Sequence, residues 1–207
     1  MSVILSNLPS ADAESPPISS AARRPRVVAF IDGQNLYRAA LTAYGSSHKE
    51  ARYDVLALAE SVAASQQMGV VTDVYFYTGI HSTKKPALRE FWLRKLAAMG
   101  RQTNETGATV HPWSRQLQYT REETTRPDGT KDEWFSGHEK GVDIRLALDM
   151  IRVARQGKAD SMLLFSQDQD FVDAVREARM IYEERGAQLT VACAYPVGDS
   201  SRPDHAA

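Results

Sequence analysis

The chain is short of several things, and each shortage closes off a class of explanation. Cys193 is its one cysteine in 207 residues, so neither a disulfide framework nor a thiolate zinc cluster is available, and a reducing cytoplasm is the expected setting. No apolar run approaches the ~18 residues that a membrane span needs. Val3, Ile4 and Leu5 are too short a run for a signal peptide, so a soluble protein without membrane partners is expected. Neither sign of charge is in excess: 25 Lys+Arg against 26 Asp+Glu leave a net charge of -1. A general polyanion binder is therefore disfavoured, and any nucleic-acid contact has to use a local basic patch. The glycines of a dinucleotide fingerprint and the P-loop signature are both missing, and no Asp-x-Asp closes the first strand as a phosphoaspartate hydrolase would require.

What is present suffices for one domain. At 43% hydrophobic residues the chain can bury a core unaided. Segments 1–25 and 196–207 are rich in small and polar residues and read as flexible tails around a folded unit of 26–195. Within that unit, apolar β-rich runs at 27–31, 70–77, 109–111, 162–166 and 187–194 alternate with helix-period segments at 36–44, 54–68, 86–100, 144–157 and 170–185. This alternation predicts an α/β, three-layer domain with a mostly parallel central sheet. Asp54 is a good helix N-cap, and Pro86 suits a first helical turn. The stretch 113–140 breaks the pattern: it is polar, carries five basic and six acidic residues, and holds a Pro127-Asp128-Gly129 turn. It reads as an inserted hairpin or flap.

In open parallel sheets the loops leaving the carboxyl ends of strands line the functional crevice. Asp32-Gly33-Gln34-Asn35 leaves the first strand, Ser166-Gln167-Asp168-Gln169-Asp170 leaves the strand at 162–166, and Asp143 opens a helix after Lys140-Gly141-Val142. Asp32, Asn35, Asp143 and Asp168 should converge at one sheet edge, with Asp170 close by and Ser166 orienting the loop. Hard divalent cations such as Mg2+ or Mn2+ prefer such oxygen donors and bind through only a few protein ligands. Crowded carboxylates would otherwise repel one another. Taken singly, each residue also has a structural role open to it: Asp32-Gly33 as a turn, Asp143, Asp168 or Asp170 as helix caps, and Asn35 as a loop fastener. Asp149, six residues beyond Asp143 with Arg145 and Arg152 at helical spacing, reads as a surface ion pair.

The three motifs Asp32-Gly33-Gln34-Asn35-Leu36-Tyr37, Lys140-Gly141-Val142-Asp143 and Ser166-Gln167-Asp168-Gln169-Asp170-Phe171 together resemble the NYN domain family, relatives of PIN-domain ribonucleases. The resemblance spans residues 26 to 194 in the expected order. It implies a PIN-like Rossmannoid fold and a metal-dependent endoribonuclease. Asp32, Asn35, Asp143 and Asp168 take the family's acidic-site positions, with Asp170 nearby. Gln167 and Gln169 depart from the pattern, which usually has glycine and a small residue there.

Such an enzyme would hydrolyse RNA with a metal-activated water and leave a 5′-phosphate and a 3′-hydroxyl, using one or two ions. The best basic patch follows the second strand: Lys84, Lys85 and Arg89, extended by Arg94, Lys95 and Arg101, with Lys140 beside the acidic motif. Single-stranded RNA or structured loops are the expected partner. Two rivals remain at this stage. One is a metal-free mechanism on His81, His111 and His138, which requires two of them to meet. The other is a non-catalytic RNA-binding module, since a fold does not establish an activity.

Overall fold

Arg26–Asp32 (β2) is the axis of the molecule, and from Val27 onward none of its residues reaches solvent appreciably. An unbroken apolar run such as Val27 to Ile31 belongs in a sheet covered on both faces. Side chains alternate across it. Val27, Ala29 and Ile31 pack into one core, and Val28 and Phe30 into the other. Each of the larger ones, Val27, Val28, Phe30 and Ile31, contributes about 1.5–3 kcal/mol. The computed structural model describes residues 23–44, 53–126, 128 and 130–198, and the backbone of residues 2–5.

The chain runs from Ser2–Leu5 (β1) through β2 to Gly33–Tyr44 (α1), Val55–Ser65 (α2) and Val70–Ile80 (β3). Pro86–Met99 (α3), Thr109–Gln116 (β4), Gln118–Thr125 (β5) and Lys131–His138 (β6) follow. Val142–Gln156 (α4), Ser161–Phe165 (β7), a short 3-10 turn Gln169–Phe171, Val172–Glu183 (α5) and Thr190–Tyr195 (β8) complete it. The main sheet has the order β1-β8-β7-β2-β3-β4. Its five strands from β8 to β4 are mutually parallel, and β1 lies antiparallel on β8. Helices flank both faces, as the PIN-like fold requires. One core faces α1, α2 and α3, and the other faces α4 and α5.

The local signals work as the sequence suggests. Asp54 caps α2, its Oδ1 accepting from the backbone N–H of Leu56 at 2.9 Å and Ala57 at 3.0 Å. Asp160 ties the start of β2 to the turn before β7, accepting the Arg26 backbone N–H at 2.7 Å. Element ends shift by up to three residues from expectation, and three departures are larger. β4 continues to Gln116 because Tyr77 to Ile80 offer it a parallel partner beyond His111. The insert is therefore narrower than 113–140: a two-stranded hairpin, β5–β6, paired in register from Gln118↔His138 to Thr125↔Lys131. Ser2–Leu5, inside the segment read as a tail, forms a strand because β8 offers an open edge. Pro127 and Gly129, and most of both tails, lie outside the described residues. At the hairpin turn the Asp128 carboxylate accepts from the Thr130 backbone N–H at 2.9 Å.

Candidate active site

The strand order reverses direction at β2. The chain first moves from β2 outward to β3 and β4, then crosses back to β7 and β8 on the other side. Loops leaving β2 and β7 diverge at such a switch point and open a crevice beyond the carboxyl ends of the strands. A cleft of about 910 Å³ lies there. Asp32, Asn35, Asp143 and Asp168 all line it, together with Lys140. The four residues expected at one sheet edge are thus gathered in one cleft.

Each is positioned by a local device. Asp32 ends β2, 9% exposed, and its Oδ1 accepts the backbone N–H of Asn35 at 3.0 Å. The Asn35 amide oxygen accepts the Gln167 N–H at 3.3 Å, fastening the β2 loop to the β7 loop. Ser166 is buried and its hydroxyl oxygen accepts the Asp168 N–H at 3.1 Å, while Asp168 Oδ1 accepts the Asp170 N–H at 3.0 Å. Asp168 is therefore both a cap of the 3-10 turn and a cleft residue. Asp170 is exposed and does not line the cleft. Asp143 sits in the first turn of α4, where the helix dipole favours negative charge. The entry to that helix depends on Gly141, whose φ of +74° is a left-handed conformation costly to any side chain.

Sequence reasoning missed one acid. Glu139 follows β6 directly and lines the cleft beside Lys140. The Gly79 N–H donates to its Oε1. A Cβ at Gly79 would collide with Leu117 Cδ2 and come within 2.7 Å of Glu139 Cγ, so glycine lets both side chains approach the end of β3. Glu139 was counted among the six acids of a polar insert. Its immediate lead into Lys140-Gly141-Val142-Asp143 was the signal that could have singled it out.

The electrostatics distinguish the cleft from ordinary surface acids. Burial pushes the Asp32 carboxyl up, the charges of Asp168 and Asp143 push it the same way, and the Asn35 and Gln34 N–H groups oppose them. Glu139 is pushed up to about 7, by burial first and then by Asp32 and Asp143, against the Gly79 N–H and Arg38. Among the described residues none of these four acids forms an ion pair with a basic side chain.

This all-oxygen set suits a hard divalent cation, and mutual repulsion gives such an ion something to relieve. Among the described residues no three carboxylates, imidazoles or thiols stand together as a ready-made chelate. The fit is therefore one of donor chemistry, to a cation that keeps much of its water.

The remaining expectations divide. Asp149 is ion-paired as expected but buried rather than on the surface, at 4% exposure. It accepts from Arg145 Nε at 2.7 Å, from Arg152, and from the Tyr77 hydroxyl at 3.0 Å. The basic patch splits three ways. Lys84 is exposed and lines neither the cleft nor the hollow beside it. Arg89 donates to the His81 carbonyl at 3.1 Å. Lys85 and Lys95 face that hollow. The three histidines each take a different partner: His111 pairs with Asp73 at 2.7 Å, His138 with Glu122 at 3.0 Å, and His81 with the Tyr119 hydroxyl at 2.8 Å.

A parallel α/β sheet with an acidic cleft at its switch point is the layout of a nuclease-like domain of the PIN type. The chain belongs to the NYN domain family, whose model matches residues 26–200. RNA is the substrate that membership implies. No curated protein matches the chain. Among solved structures, a protein of unknown function from Vibrio parahaemolyticus is similar at 20% identity, with a TM-score of 0.43, over 84% of this chain and 83% of that one. No helix among the described residues is long and apolar enough to cross a membrane.

Proposed function

We propose that this domain is a divalent-metal-dependent endoribonuclease that hydrolyses RNA to a 5′-phosphate and a 3′-hydroxyl. The observation that carries the reading is the gathering of Asp32, Asp143, Asp168 and Glu139 in one cleft without an ion-pairing cation among the described residues. Mg2+ or Mn2+ held by Asp32, Asp143 and Asp168 would supply a water of lowered pKa and offset charge on the phosphate. Asn35 keeps the β2 and β7 loops in register, so that Asp32 and Asp168 present their oxygens to the same space. Glu139, titrating near neutrality, is matched to take a proton from the attacking water on a carboxyl oxygen. Water oxygen joins phosphorus, the bond from phosphorus to the 3′-oxygen breaks, and a proton returns to that oxygen. Lys140 and Arg38, both on the cleft wall, are placed to attract the backbone phosphates.

A second reading, RNA binding without cleavage, is favoured by the lack of a three-ligand chelate among the described residues. One assay separates the two. Purified protein is incubated with labelled single-stranded RNA and Mn2+ or Mg2+, beside Asp32→Asn and Asp168→Asn variants. Cleavage that stops in EDTA and in both variants, with 5′-phosphate ends, supports the nuclease. Cleavage surviving in the variants sinks the site assignment, and retention of intact RNA supports the binding module.

A further inference from the structure

Beside the acidic cleft lies a second hollow of about 650 Å³ with the opposite character. Among the described residues no aspartate or glutamate lines it, whereas Arg38, Lys85 and Lys95 do. Its walls are aromatic: Tyr37 from α1, Trp92 and Phe91 from α3, and Tyr119 from the first hairpin strand. The size falls in the roughly 300–1,000 Å³ range of small-ligand sites.

The hollow borders the least buried stretch of α3: Trp92 is partly buried against the core, and full burial comes only at Leu96 and Met99. Leu96 and Met99 are 7% and 6% exposed, whereas Leu88 and Phe91, earlier in the helix, are 47% and 51% exposed. Large apolar side chains left open beside cations usually mark a binding surface. The cations already sit against the rings: the Lys95 ammonium is 5.0 Å from the Trp92 ring and the Lys85 ammonium 5.7 Å from that of Tyr119. The Tyr119 hydroxyl is held at 2.8 Å by His81, which fixes one wall. Flat aromatic faces with adjacent positive charge suit an unstacked base and its phosphate.

Gln34 and Arg38 line both depressions, and Arg38 Nη2 donates to Gln34 Oε1 at 3.2 Å, so one ridge of α1 separates them. We propose that this aromatic hollow captures an unstacked nucleobase of the RNA strand whose scissile phosphate lies in the acidic cleft. The inference rests on the nuclease reading for the identity of the strand. It adds an anchoring point that sets where along the strand the cut falls.

The test is binding in EDTA, which removes cleavage from the readout. Anisotropy of a fluorescein-labelled short single-stranded RNA is compared for the full-length protein and for Tyr119→Ala, Lys85→Ala and, as a charge control on the opposite sheet edge, Lys158→Ala. Tyr119→Ala should weaken binding about tenfold, the loss of one stacked base. Lys85→Ala, an exposed change that spares the core, should weaken it about threefold and lower the salt dependence by about one phosphate contact. Lys158→Ala should match the parent protein. Removing the base at successive positions of the RNA should reveal one position whose loss costs the parent about as much as Tyr119→Ala and costs that variant little more. A flat abasic scan, or unchanged binding in both hollow variants, overturns the proposal. So does a free mononucleotide that perturbs tryptophan fluorescence without displacing RNA. Metal-dependent cutting by parent and hollow variants alike, with the same cut positions, leaves the nuclease standing and removes only this inference. Binding with the expected variant losses but no cutting removes the nuclease and retains the base site.

Discussion

Asp149 and Asp32 are both nearly buried carboxylates, 4% and 9% exposed, and the chain treats them in opposite ways. Asp149 receives two arginines from its own helix, at the preceding turn and the following one, plus a tyrosine hydroxyl. Asp32 receives backbone N–H groups and faces further acids. A buried charge with its partners serves the structure. A buried charge left among like charges costs stability, and persists where something from outside completes it.

The sharpest way to break this contrast is to neutralise each aspartate. Asp32→Asn should reduce metal-dependent RNA cleavage on the order of 10³-fold, as loss of charge stabilisation at a reaction centre does. In EDTA its melting temperature should equal or exceed that of the parent, because a poorly solvated charge is gone. Asp149→Asn should do the reverse: a stability loss of about 2 kcal/mol in urea titrations, from weakened charge-assisted hydrogen bonds, with cleavage per folded molecule within about threefold. If Asp32→Asn proves as destabilising as Asp149→Asn, both are structural and the contrast fails.

Gly79→Ala probes the seat of Glu139. The added methyl displaces the carboxylate from the Gly79 N–H, which held its pKa down, so cleavage should fall about tenfold and its rise with pH should move upward. An unchanged pH profile would separate Glu139 from the chemistry.

The metal-free protein should also report Glu139 through its stability. Its folded pKa of about 7 exceeds the ordinary 4.5, so the neutral form is the one that folding favours. The benefit is complete below about 4.5 and is lost as pH rises through 7. Melting temperature in EDTA should therefore decline across that window, less steeply in Glu139→Gln, and Mn2+ should restore it more at the alkaline end. The smallest effect is the reference point: Arg94→Ala breaks an exposed pair with Glu90 at 3.6 Å and should change stability by under about 0.5 kcal/mol.

The elements and their order were legible because a buried parallel sheet writes itself as separate apolar runs, and helices declare themselves by caps such as Asp54. Asp32, Asp143 and Asp168 were legible because strand ends and helix starts of such a sheet share one edge. Three things were not. Glu139 owes its place in the cleft to a backbone N–H from a strand sixty residues earlier, a contact that no local pattern announces. The burial of Asp149 is likewise tertiary: helical spacing located its arginines, but Tyr77 on β3 is what covers it. The length of β4 was hidden for the same reason, since Trp113 to Gln116 become strand only through pairing with Tyr77 to Ile80.

The hairpin carries a consequence for how this domain can change. Its eight cross-strand pairs run without a slip from Thr125↔Lys131 at the turn down to Gln118↔His138 at the base, and Glu139 is the next residue. Lengthening both strands equally would move the tip outward while leaving the base, and so the cleft acid, where they are. An odd insertion in one strand alone would rotate every residue beyond it to the other side of the ribbon and drag Glu139 with it. The arm is thus a part that can be exchanged in steps of paired residues, altering what the domain reaches without retuning what it does.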